Sequence, residues 1–188
     1  MFFECRWRKC LLVFDVYNFL LTSGSFAFGG ETLFFHIEYP EKLSYTYEIH
    51  SSDAIGVPFP SSPLKSLQLK YSIPITACEP IQPIMNGAVL IERGGCSFVT
   101  KAINADKAGA QIALITDSAS ESERWIEMIS DGTKKKSNIP VAFLPGVSGK
   151  RIRSYLMHGE GDVRITIPLN ISTFDAKILQ TKPPWELW

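Results

Sequence analysis

Cys96 has more chemistry open to it than any other residue of this 188-residue chain. It follows Gly94-Gly95 and precedes Ser97, at the head of a helical pattern, and a helix N-terminus lowers the pKa of a thiol placed there. One outcome is an activated thiolate, which for papain-like chemistry needs a histidine beside it. The chain holds only His36, His50 and His158, and no sequence spacing ties any of them to Cys96. The other outcome is a disulfide. Of the four cysteines, Cys5 and Cys10 fall in an N-terminal stretch that reads as a cleavable signal, which leaves Cys78 and Cys96. In an oxidising compartment a remaining pair favours one bond, and closing that loop contributes roughly 3 kcal/mol on the chain-entropy account. The disulfide is the preferred reading, with the free nucleophile as its rival.

Arg93 offers recognition rather than catalysis. At a loop mouth its guanidinium can hold a peptide carboxylate or carbonyl. The plainer reading, preferred here, ties it to Glu92 or Asp117. Lys101 is expected in solvent. Motifs of other chemistry are missing: there is no HExxH, no paired-cysteine knuckle, no Asp-rich calcium loop and no phosphate loop. Gly146-Val147-Ser148-Gly149 misses a nucleophile elbow by one position. No catalytic residue, metal ligand or cofactor is therefore assigned, and the chain is read as a non-enzyme.

The elements that position Cys96 follow from local pattern. Ala88–Ile91 is wholly apolar, as a strand buried on both faces must be. Arg93-Gly94-Gly95 is a tight loop, because paired glycines reach backbone angles closed to other residues. Ser97 is placed to cap a helix on which Phe98, Ala102, Ala105 and Ala108 recur at helical spacing, with Gly109 as its stop. Gln111–Thr116 is a second apolar strand. Strand, helix and strand in this order make a βαβ unit with two parallel strands and a right-handed crossover.

Leu90-Ile91-x-Arg93-Gly94-Gly95-Cys96-Ser97-Phe98, followed by Lys101, Ala108-Gly109-Ala110 and Asp117-Ser118, resembles the core motif of the protease-associated (PA) domain family. Where that family shows Asn-Asp or similar, this chain has Thr116-Asp117, a mild departure. The resemblance implies an α/β fold in which a mixed or closed β-sheet is flanked by two helices. It also implies a module that binds peptides or proteins or influences their processing. The candidate interaction loop is Arg93, Gly94, Gly95, Ser97 and Phe98, and the partner is an unidentified protein or peptide. Cys78, a late Asn170 sequon and the Pro-Pro-Trp-x-x-Trp ending are similar to the small stand-alone secreted glycoproteins of the family. Two other readings stay open: a secreted hydrolase whose site the sequence hides, and an accessory subunit of a receptor or peptidase complex.

Read in order, residues 1–27 are expected to form a signal peptide. Arg6, Arg8 and Lys9 precede the apolar run Cys10–Leu21, and Ser25-Phe26-Ala27 supplies small residues at the positions a signal peptidase reads. That run is too short to span a bilayer of about 30 Å unaided. Secretion through the endoplasmic reticulum follows, and Asn170-Ile171-Ser172 becomes an expected N-glycosylation site. Residues 28–66 should hold N-terminal strands, Leu33–Glu38 and Tyr45–Glu48, and a Pro-rich loop over Ser51–Ser66. Residues 67–170 should form the core: a strand at Leu67–Tyr71, the βαβ unit, and one helical turn at Trp125–Ile129. A strand at Ile139–Leu144, a helix over Ser148–His158 and a strand at Asp162–Leu169 complete it. Residues 171–188 should be an extended tail from which Trp185 or Trp188 packs back on the body. Nineteen basic and nineteen acidic residues cancel, and no charged tail exists, which argues against a nucleic-acid partner. No later segment is long and apolar enough to span a membrane, so none is expected in the mature chain.

Overall fold

Strand-forming runs, some alternating and some wholly apolar, produce seven strands in a computed structural model that describes residues 30–117, 124–159, 161–169 and 181–186. The strands are β1 (Thr32–Tyr39), β2 (Thr46–Ser51), β3 (Leu64–Tyr71), β4 (Ala88–Glu92), β5 (Ile112–Thr116), β6 (Val141–Leu144) and β7 (Val163–Ile167). Two helices interrupt them, α1 (Phe98–Lys107) and α2 (Gly146–Met157). The expected signal peptide, Asn170 and Trp188 lie outside the described residues.

The strands close into a barrel in the order β1-β2-β6-β5-β4-β3-β7, with β7 pairing back to β1. The four central strands run parallel, from β3 through β4 and β5 to β6. The remaining pairs are antiparallel. A closed sheet has no edge left to pair with another chain, which removes a common route to aggregation. The expected sheet with two helices is thus realised as one that is both mixed and closed.

Both faces of β4 and β5 are buried, and the alternation shows why. Leu90 and Leu114 point into the barrel with Phe35, Tyr47, Leu69 and Ile165, so residues of all the strands build one interior cluster. Val89, Ile91, Ala113 and Ile115 point outward and are covered by Val99, Ala102 and Ala105 of α1. Each fully buried aliphatic side chain contributes about 1.5–3 kcal/mol. The second helix behaves differently from the first. Ile152 and Tyr155 of α2 join the interior cluster, so the helices do not share one face of the sheet. α2 approaches β5 closely: a Cβ on Gly149 would stand 1.8 Å from Thr116 Oγ1, a separation only glycine permits.

Several expectations shift at their ends. β3 begins at Leu64 rather than Leu67, because Leu64 pairs with Ile167 across a bulge in the ladder with β7. Trp125–Ile129 forms no helical turn; it runs as irregular backbone, with Met128 O accepting from Ser52 Oγ at 3.0 Å. Of the tail, the structure describes residues 181–186. Pro184–Glu186 closes a 3-10 turn, and Trp185 packs edge-on against Tyr45 while its Nε1 donates to Ser148 Oγ at 3.0 Å. Packing of a tail tryptophan was expected; the turn that delivers it was not.

Candidate functional site

The site grows from the end of β4. Arg93 follows the strand, and its backbone N–H donates to Thr116 O of β5 at 2.8 Å. Its guanidinium meets Asp117 at 2.8 Å, with the arginine side chain still 46% exposed. The plainer of its two readings therefore holds, with Asp117 as the acid. An exposed pair of this kind contributes about 0–1 kcal/mol, so its effect is to aim the side chain rather than to stabilise the fold.

Gly94 and Gly95 both have positive φ, +103° and +79°, a region that favours glycine. The turn they make brings Cys96 to Cys78, and the two are disulfide-bonded with Cα atoms 5.6 Å apart. Cys96 is accordingly no free nucleophile. The histidines serve elsewhere. His36 lies between Ser44 and Thr46, His50 Nε2 pairs with Thr32 Oγ1 at 2.8 Å, and His158 Nδ1 meets Ser154 O. Among the described residues no group of three or more His, Cys, Asp or Glu side chains is placed to hold a metal ion.

Ser97 caps α1 as its position implies, accepting from Thr100 N at 3.1 Å. Its hydroxyl donates in turn to Asp131 Oδ2 at 2.6 Å. Asp131 also accepts from Thr133 N at 3.0 Å and Thr133 Oγ1 at 2.6 Å. Ser97, then Thr133, hold the Asp131 carboxyl below its ordinary pKa. This cluster fastens the segment before Asp131 beside the Gly-Gly loop. Phe98 is half-buried and packs on the outer core cluster.

Lys101 overturns its expectation. It is fully buried rather than solvated. Nζ donates to Thr76 O at 2.5 Å and to Gly94 O at 2.6 Å, and it lies 3.6 Å from Cys78 Sγ. One cation thus joins the segment carrying Cys78 to the loop carrying Cys96. Burial lowers its pKa to about 8, and the charge of Glu92 opposes that shift. The signal lay in helical spacing: Lys101 stands four residues before buried Ala105, on the margin of the apolar face.

Together these residues border an open groove. A cavity of about 320 Å³ is lined by Arg93, Gly94, Cys96, Phe98 and Ile129. It shares Ile129 and Ser130 with a second cavity of about 420 Å³ formed by His50, Ser52, Trp125 and Met128. The His50 and Trp125 rings stack with centroids 4.1 Å apart. Ile129 is 66% exposed at the junction. Of the sequence-predicted loop, Arg93, Gly94, Ser97 and Phe98 all line this groove. The wall from Trp125 to Asp131 was missed, although its paired apolar residues in a polar stretch were visible.

Residues 66–152 match the PA domain. Over 163 residues the chain is 39% identical to a PRADC1-like protein of Drosophila melanogaster, an overlap covering 83% of this chain and 82% of that one. The chain belongs to the PA domain family. It is also 33% identical over 98 residues to signal peptide peptidase-like 4 of Oryza sativa subsp. japonica, covering 50% of this chain and 17% of that protein. Among solved structures, a zinc aminopeptidase from Bacillus subtilis aligns with a TM-score of 0.50 and 18% identity, covering 87% of this chain and 37% of the other. At that identity the likeness is one of fold alone. The PA domain match includes β4, α1, the disulfide and the whole Gly-Gly loop, so the groove lies within and beside the part that defines the family.

Proposed function

We propose that the chain is a secreted, non-catalytic PA module that binds a protein or peptide partner through the groove beside the Gly-Gly loop. The observation that carries this is the junction at Ile129. Two open cavities share a strongly exposed apolar side chain there. The flanking loop is held from beneath by the disulfide and by Lys101. Exposed apolar surface next to a rigid rim of hydrogen-bonding groups suits an extended peptide segment, since little ordering entropy is lost by the receptor on binding. PA domains serve as interaction modules in peptidase-related proteins, which agrees with this reading. The disulfide and the N-terminal basic-then-apolar pattern support export, with cleavage after Ala27 and a glycan on Asn170.

Quantitative co-purification from conditioned medium tests the proposal. A partner held by the groove is lost from Ile129→Arg and from Phe98→Glu chains and retained by Met85→Arg, whose residue is 79% exposed and lines neither cavity. Equal recovery with all three chains would overturn the assignment.

A further inference from the structure

The two ends of the Cys78–Cys96 bond meet different surroundings. Cys96 lines the open cavity beside Arg93 and Phe98. Cys78 Sγ lies under the loop backbone, so close that a Cβ on Gly95 would stand 3.0 Å from it. On another side it meets Lys101 Nζ at 3.6 Å. In thiol–disulfide exchange a thiolate attacks one sulfur in line with the bond while the other departs as a thiolate, and the better-stabilised thiolate departs faster. We propose that this bond is a directional exchange site: a low-molecular-weight thiolate attacks Cys96 Sγ from the cavity, and Cys78 leaves as a thiolate beside the Lys101 ammonium.

The step balances without an outside oxidant. A new S–S bond forms between the attacking sulfur and Cys96 as the Cys78–Cys96 bond breaks. The electron pair of the broken bond stays on Cys78, so the negative charge passes from attacker to Cys78, next to a fixed cation. A second molecule of the same thiol then completes reduction, giving its own disulfide and a Cys96 thiolate. Alternatively Cys78 attacks Cys96 and restores the original bond. Lys101 favours that return. Its hydrogen bonds to Thr76 O and Gly94 O join the two cysteine-bearing segments independently of the sulfurs. The opened loop therefore keeps its thiols together, and closure stays intramolecular. This site needs no partner in the groove and stands apart from the binding proposal.

Glutathione is the probe. The native chain is mixed with it briefly, quenched in acid, alkylated and peptide-mapped. The expected product carries glutathione on Cys96 and the alkyl group on Cys78, in about tenfold excess over the reverse arrangement. Glutathione on Cys78, equal labelling, or no mixed disulfide at concentrations that reduce the unfolded chain would each overturn the proposal. Lys101→Met should slow the first step by about tenfold and Lys101→Arg by far less, because only the latter keeps the cation. An unchanged rate in Lys101→Met removes the leaving-group role. Should that variant fail to fold, the wild-type labelling pattern decides alone.

Discussion

Lys101 spends its charge inside the protein, and its energetics can be measured directly. A lysine whose folded pKa is about 8 binds fewer protons when folded than when unfolded, from that pH up to its ordinary value of 10.5. Unfolding then takes up a proton, so stability rises with pH across this window and receives no slope from Lys101 below it. Tyr47, whose hydroxyl pKa burial raises above the ordinary 10.0, lowers stability as pH approaches 10, but it does so in both chains and cancels from the comparison. Urea denaturation at pH 8, 9 and 10 should show the wild-type chain gaining stability relative to Lys101→Met. A gap between the two that ignores pH would contradict the buried ammonium. The variant itself should lose about 1–3 kcal/mol at pH 7.5, since two carbonyls give up their donor. Removing the covalent link is expected to cost more: Cys78→Ser and Cys96→Ser should each lose about 2–5 kcal/mol in the same assay. Cys96, Ser97 and the two glycines were legible residue by residue, because turn and cap chemistry is local. For Lys101 only its place beside the apolar face of the helix was legible; its partners Thr76 and Gly94 converge only when the loop folds over α1.

Among the elements, the βαβ unit could be read from its own pattern: β4, α1 and β5 lie within a residue or two of their expected bounds. Two apolar runs, a capping serine and a glycine stop agree locally with the fold they make. The Trp125–Ile129 segment misled, since paired apolar residues fit one helical turn as well as an irregular wall. What fixes it is distant: Ser52 on Met128 O, and His50 against Trp125. The contact of α2 with β5 was equally hidden and makes a sharp prediction. Gly149→Ala gains about 1 kcal/mol of helix propensity but drives a methyl into Thr116, whose Oγ1, Cβ and Cγ2 lie 1.8, 2.6 and 2.9 Å from the new Cβ. Overlap that deep exceeds what a side chain can absorb, so steric cost wins and the net loss should be about 1–3 kcal/mol. Adding Thr116→Ala should recover part of it by removing Oγ1 and Cγ2, the non-additivity expected of neighbours. Thermal denaturation of the two single variants and the double variant checks this; strict additivity would contradict the contact.

At the scale of the molecule, closure joins β1 to β7, whose paired residues His36 and Thr166 come from opposite ends of the described chain. No periodicity carries that information; only the resemblance offered a closed sheet, and the pairing of β1 with β7 that closes it is seen in the register alone. The proposed export belongs to this scale as well. N-terminal sequencing of protein from the medium should begin near Phe28, and glycosidase should lower the apparent mass of the wild-type chain but not of Asn170→Gln. An intact Met1 on the exported chain, or no mass change, would contradict the respective assignment. The groove beside the Gly-Gly loop is the proposed seat of the partner. Photo-crosslinking tests it most directly, with benzoylphenylalanine placed singly at Phe98, Ile129 or Met85 in the full chain. The same covalent adduct is expected from Phe98 and Ile129, and none from Met85. Adducts from Met85 alone, or equally from all three positions, would contradict it.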